Sequence, residues 1–140
     1  MSRKSWLFAV CCVILATVPA GCGSDDDDVG VRSYIGSHYP RAPKLDEANN
    51  GTAYTSNKSP TATADDITKG VRQLDRRTTG ATTYLQYRDD IIAISPNGAG
   101  AKVLVDDYRT GHRRHHSAVS VFGWPSDNTG FRGGGSGDGK

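Results

Sequence analysis

Two β-prone runs on either side of one turn constrain this fold most. Ile91-Ile92-Ala93-Ile94-Ser95 is a compact β-branched run, Ala101-Lys102-Val103-Leu104-Val105-Asp106 alternates in character, and Pro96-Asn97-Gly98 between them is a strong turn signal. The pattern predicts an antiparallel hairpin over 91–95 and 101–106. Thr82 to Arg88 also alternates and predicts a strand ahead of it, with Asp89-Asp90 as a weaker turn.

Upstream, apolar residues recur at helical spacing. Val31, Tyr34, Ile35 and His38 predict a short helix over 29–39, ended by Pro40 and Pro43. A connector over 40–51 leads into a β-prone segment, 51–57, which Pro60 closes. Ala64, Ile67, Val71 and Leu74 predict a second helix over 62–77, with Thr63 and Asp66 resembling a capping box. Asp65 and Asp66 suit its positive end, Arg76 and Arg77 its negative end, and Gly80 its termination. The expected fold class is therefore α+β: a small two-layer domain with an N-terminal helix, then β-α-β-β-β with an antiparallel sheet.

The first residues read as an address. Arg3 and Lys4 precede a run from Trp6 to Val18 that is apolar apart from Thr17, the pattern of a signal peptide over 1–21. Ala20-Gly21-Cys22 fits a lipobox, in which the thiol is acylated and becomes the new N-terminus, although Pro19 stands where an aliphatic residue is usual. Ordinary cleavage after Val18-Pro19-Ala20 is the alternative, releasing a secreted protein from Gly21. Cys11 and Cys12 leave with the leader, so Cys22 is the candidate lipidation site, and no internal disulfide is expected. Residues 22–28, with Asp25 to Asp28, read as an acidic tether, 29–124 as a single domain, and 125–140 as a flexible Gly-rich tail.

Charge excludes one class of partner. The chain has 17 Lys and Arg against 15 Asp and Glu, and loss of Arg3 and Lys4 with the leader leaves 15 of each. A balanced, exported chain has no field to attract nucleic acid.

The leader with its cysteine, Tyr34-Ile35-Gly36-Ser37-His38-Tyr39, Ala53-Tyr54-Thr55-Ser56, Tyr84 to Ile92, Val105-Asp106-Asp107-Tyr108-Arg109 and Phe131-Arg132-Gly133-Gly134-Gly135 together resemble a family. It is an actinobacterial lipoprotein family of uncharacterised function, domain of unknown function 4247. The resemblance implies an extracytoplasmic, lipid-anchored location at the cell membrane. It implies no catalytic residues and no cofactor.

One constellation comes from the residues themselves. With the turn centred near Asn97 and Gly98, Asp90 is expected opposite Asp106, Asp89 near Asp107, Arg88 near Arg109 and Tyr87 near Tyr108. Opposed carboxylates repel unless something positive intervenes. Either Arg88 and Arg109 neutralise them in a salt-bridge cluster, or the acids hold a divalent cation or a polyamine, with Tyr87 and Tyr108 offering aromatic faces.

His112-Arg113-Arg114-His115-His116 lacks the spacing of known zinc sites and reads better as a solvent-facing basic segment that attracts anionic headgroups. His38 reads as a helix-end residue satisfied by backbone. Val119, Val121, Phe122 and Trp124 predict a last edge strand or an exposed patch. No nucleophile elbow or phosphate-cradling glycine pattern is present. The sequence thus points to a non-enzymatic, membrane-anchored envelope module that binds a protein or a cation. The rival is an envelope enzyme or metal-dependent hydrolase using Asp89, Asp90, Asp106 and Asp107 with a histidine.

Overall fold

The computed structural model describes residues 27–129, and side chains from residue 30. The leader, Cys22 and most of the tether and tail lie outside the described residues. The elements are α1 (Asp27–His38), a 3-10 turn (Pro43–Leu45), β1 (Thr52–Ser56), α2 (Pro60–Gly70), β2 (Asp75–Thr79), β3 (Thr82–Gln86), β4 (Asp90–Asn97), β5 (Gly100–Asp107), α3 (Tyr108–Arg114) and α4 (His116–Val119). The strands form one antiparallel sheet in the order β1-β5-β4-β3-β2. The fold is α+β, with the expected N-terminal helix and hairpin.

The hairpin brings β-branched side chains to both faces of the sheet, and each face gathers its own core. Val31, Ile35, Ala64 and Ile67 of α1 and α2 pack on Leu85, Ile92, Ile94, Val103 and Val105. On the opposite face Tyr108, Val119 and Trp124 cover Tyr84, Ile91, Ala93 and Leu104. The expected pair of layers thus carries a thin third one. Full burial of side chains this size stabilises by about 1.5–3 kcal/mol each, which is why a sheet so rich in Ile and Val is covered on both sides.

The second helix is shorter than its apolar spacing predicts, and begins earlier. The Ser59 hydroxyl accepts from the Ala62 backbone N–H at 3.2 Å, and Pro60 occupies the first turn, so the cap is Ser59 rather than Thr63 with Asp66. Thr63 is buried, its hydroxyl donating to Ser56 Oγ at 2.8 Å. Asp65 and Asp66 lie mid-helix, bound to Arg76 and Lys58. After Gly70 the chain turns extended at Val71, and residues 75–79 form β2, a strand the helical spacing had hidden. Arg76 and Arg77 therefore sit on a sheet edge, where charged side chains discourage pairing with other chains. Leu74, assigned to the apolar stripe, is 55% exposed.

Two further expectations change. β3 stops at Gln86, because the Tyr87 N–H bonds the Asp90 carbonyl at 2.9 Å and residues 87–89 make the turn. Val119 and Trp124 are buried on α4 and the segment after it rather than on an edge strand, while Val121 is exposed.

Candidate functional site

Strand register decides where the acids go. Asn97 pairs with Gly100, so the two-residue turn is Gly98-Ala99, with Gly98 at a φ of 58° that favours glycine. The pairing is one residue away from the expected one: Asp90 faces Asp107, and Ile91 faces Asp106. A slip of one exchanges faces, because strand side chains alternate. Asp90 therefore points toward α1 and Asp106 toward α3. The expected Asp90–Asp106 opposition does not form, and residues 87–89 make a turn in which the Asp89 carbonyl accepts from the Tyr108 N–H at 2.8 Å, beside Asp107.

Each buried acid is held by an arginine of another element. Asp90, 2% exposed, accepts from Arg32 Nε at 2.7 Å. Asp106, fully buried, accepts from Arg114 Nε and Nη2, both at 3.0 Å. Asp107 caps α3, its carboxylate accepting from the Thr110 N–H at 2.9 Å. Asp89 accepts from Asn128 Nδ2 at 2.6 Å. Arg88 is half-buried, and Arg109 is exposed on the first turn of α3.

The tyrosines are equally separated. Tyr87 lies in the core under α1 and α2, with its hydroxyl donating to the Val71 carbonyl at 2.8 Å. Tyr108 lies in the other core, donating to the Pro125 carbonyl at 3.0 Å and accepting from Gln86 Nε2 at 2.9 Å. Their rings occupy opposite faces of the sheet and do not flank a common space.

Asp106 anchors a polar cluster with Arg114, His115 and Glu47. His115 Nε2 lies 3.6 Å from Asp106 Oδ2, beyond hydrogen-bond range, and is buried with no hydrogen-bond partner. Burial pushes the Asp106 carboxyl up, but His115 and Arg114 beside it outweigh burial and hold it below the usual carboxylate range. Gly51 lets the connector close over this group: a Cβ there would stand 3.0 Å from Arg114 Nη2 and 3.2 Å from Asp106 Oδ1. Glu47 completes the wall, bound by Lys102 Nζ at 2.8 Å and held below its usual range chiefly by that lysine. Beside the cluster opens a cleft of about 290 Å³, lined by Glu47, Lys102, Arg114, His115, Tyr84 and Ser95 over Ala93 and Leu104.

Sequence reasoning missed Arg32, Glu47, Lys102 and the pairing role of Arg114. Arg32 is 58 residues from its partner, and only the register puts Arg114 over Asp106. The basic segment is not uniformly solvent-facing: His112 is buried, its Nε2 3.1 Å from the Trp124 carbonyl, and His115 turns inward, while Arg113 and His116 are exposed. His38 stacks on Tyr34 at 3.9 Å, with Nδ1 2.8 Å from the Tyr34 carbonyl. Among the described residues no group of three or more His, Cys, Asp or Glu is arranged to hold a metal ion, and no helix is long and apolar enough to cross a membrane.

A family model described as Domain of unknown function (DUF4247) matches residues 13–136. Two uncharacterized proteins of Mycobacterium tuberculosis, one from strain CDC 1551 / Oshkosh and one from strain ATCC 25618 / H37Rv, are each 36% identical over 97 residues. The match covers 69% of this chain and 63% of each relative. No solved structure matches.

Proposed function

The chain belongs to the DUF4247 family, and we propose that it is a membrane-tethered envelope lipoprotein whose α+β domain works by binding rather than catalysis. The observation that carries this reading is the distance between Cys22 and the fold. Four residues separate the cysteine from Asp27, where α1 begins. That is a reach of about 17 Å at full extension, so a lipid on Cys22 would hold the α1 end of the domain against the bilayer surface. The family match starts at Val13, so the Ala20-Gly21-Cys22 junction lies within the stretch shared with the family. The binding reading draws support from the acids, which are engaged by Arg32, Arg114, Thr110 and Asn128 as parts of the scaffold.

The test is anchoring. In a host that processes lipoproteins, the parent chain should partition with membranes and carry an acylated N-terminal Cys22. Cys22→Ala should leave uncleaved precursor or release the protein. A mature N-terminus at Gly21 with unchanged partitioning would sink the proposal.

One observation favours the rival hydrolase reading: His115 lines the cleft and faces Asp106. Under that reading a metal-supplemented hydrolase screen finds an activity that His115→Ala abolishes while the protein stays folded.

A further inference from the structure

A second concentration of charge lies away from the Asp106 cluster. Arg109, His112 and Arg113 fall at i, i+3 and i+4 on α3, the spacing of one helix face, and His116 follows at the start of α4. Together with Ser126 they line an open cleft of about 480 Å³. One of the four is fixed in place. The His112 ring lies at 22° to the plane of Tyr108, and its Nε2 is 3.1 Å from the Trp124 carbonyl. A carbonyl only accepts, so Nε2 carries the hydrogen. The edge of His116 meets the same ring at a centroid distance of 5.8 Å.

The two arginines differ from others in the fold. Arg32, Arg41, Arg76, Arg77 and Arg114 are each bound to a carboxylate. Among the described residues no carboxylate lies within ion-pair distance of Arg109 or Arg113. Arg109 and Asp127 interact only through space, and Asp127 Oδ1 accepts from the Thr129 N–H at 3.0 Å. Two guanidinium groups one helical turn apart repel each other and exclude a metal ion. They are matched by an anion with several oxygens.

We propose that this cleft binds a phosphate ester, with Arg109 and Arg113 donating to the phosphoryl oxygens and His116 and Ser126 completing the ring of donors. A tetrahedral oxyanion presents oxygens in several directions, which suits donors arriving from α3, α4 and the loop at Ser126. A planar carboxylate would satisfy one fork and leave the other. The ester is a lipid headgroup or a soluble phosphorylated molecule, and the chemistry of the site is the same for both. The proposal stands on the cleft and does not rest on the tether.

The experiment has two arms on the purified full chain. One titrates it with glycerophosphoglycerol by calorimetry; the other sediments it with phosphatidylcholine vesicles made with and without phosphatidylglycerol. Binding in the calorimeter assigns a soluble ester, and sedimentation greater with the phosphatidylglycerol vesicles than with phosphatidylcholine alone assigns a headgroup, since a lipid on Cys22 adds equally to both. In either case Arg109→Gln and Arg113→Gln should each weaken binding about tenfold with the melting temperature unchanged, since both side chains are exposed. No calorimetric binding together with equal sedimentation on the two kinds of vesicle, or ester binding or a phosphatidylglycerol-dependent difference that survives the double substitution, overturns the proposal.

Discussion

Arg114 reaches back over Asp106 from a helix that starts two residues after it, placing Nε and Nη2 each 3.0 Å from a carboxylate oxygen that water does not reach. Removing one member of such a pair leaves an uncompensated buried charge, whereas removing both leaves only a packing defect. Arg114→Ala should therefore cost about 3 kcal/mol in urea unfolding. Arg114→Met with Asp106→Leu should cost clearly less than Arg114→Ala alone. Equal losses would mean that Asp106 finds another partner.

The same pair fixes the direction of a pH effect. Asp106 is held below its usual range because the imidazole and guanidinium beside it outweigh burial. A folded value below the unfolded one contributes stability above the ordinary carboxylate range, and that contribution is lost as pH falls through the folded value. Unfolding free energies measured downward from neutral pH should show an acid limb below about pH 4, and Asp106→Asn should make it shallower. Asp75, likewise held low, keeps part of the limb in that variant. An unchanged limb would remove Asp106 from the explanation.

Much of the fold was legible because it rests on patterns of two and three-to-four residues. Ile91 to Ser95, Val103 to Val105 and the Val31–Ile35 and Ala64–Ile67 pairs show their burial in their spacing. β2 was not legible, because Asp75-Arg76-Arg77-Thr78-Thr79 has no apolar residue, and Val71 and Leu74 continue a helical rhythm the chain does not follow. The register was illegible for a sharper reason. Moving the turn from Asn97-Gly98 to Gly98-Ala99 changes the register by one and sends Asp90 and Asp106 to opposite faces. No local signal pairs Arg32 with Asp90, since that contact exists only once α1 lies on the sheet.

The engagement of the acids bears on cations. Asp89, Asp90, Asp106 and Asp107 each accept a protein hydrogen bond, and two of them are matched by arginines, so they do not need an added charge. Saturating calcium, magnesium or spermidine should leave the melting temperature unchanged, because a ligand raises it only by binding the folded state. A rise that Asp90→Asn with Asp106→Asn abolishes would restore the cation site.

Close backbone approach at the hairpin end gives a test of register. A Cβ on Gly100 would stand 2.0 Å from the Ser56 carbonyl oxygen, a backbone atom in a paired strand that cannot move aside. Gly100→Ala should destabilise by about 1–3 kcal/mol, the usual cost of overpacking. Ala99→Gly, one residue away in the turn, should cost under 1 kcal/mol. Similar costs at the two positions would contradict the β1–β5 contact.

Tyr39 gives the final prediction, at the opposite end of the pH scale. Burial, then the charge of Asp66, then Tyr34 push its phenol up to about 12. An acid whose folded value is raised keeps its proton while the unfolded chain loses it, so its contribution to stability declines as pH rises from about 10 toward 12. Phenolate absorbance should show a late-titrating component in the folded protein, and Tyr39→Phe should reduce it. Asp66→Asn should lower the late value only in part, because burial is the larger cause. A late component undiminished by Tyr39→Phe would remove Tyr39 from it and leave it to Tyr84 and Tyr108, which burial likewise pushes up.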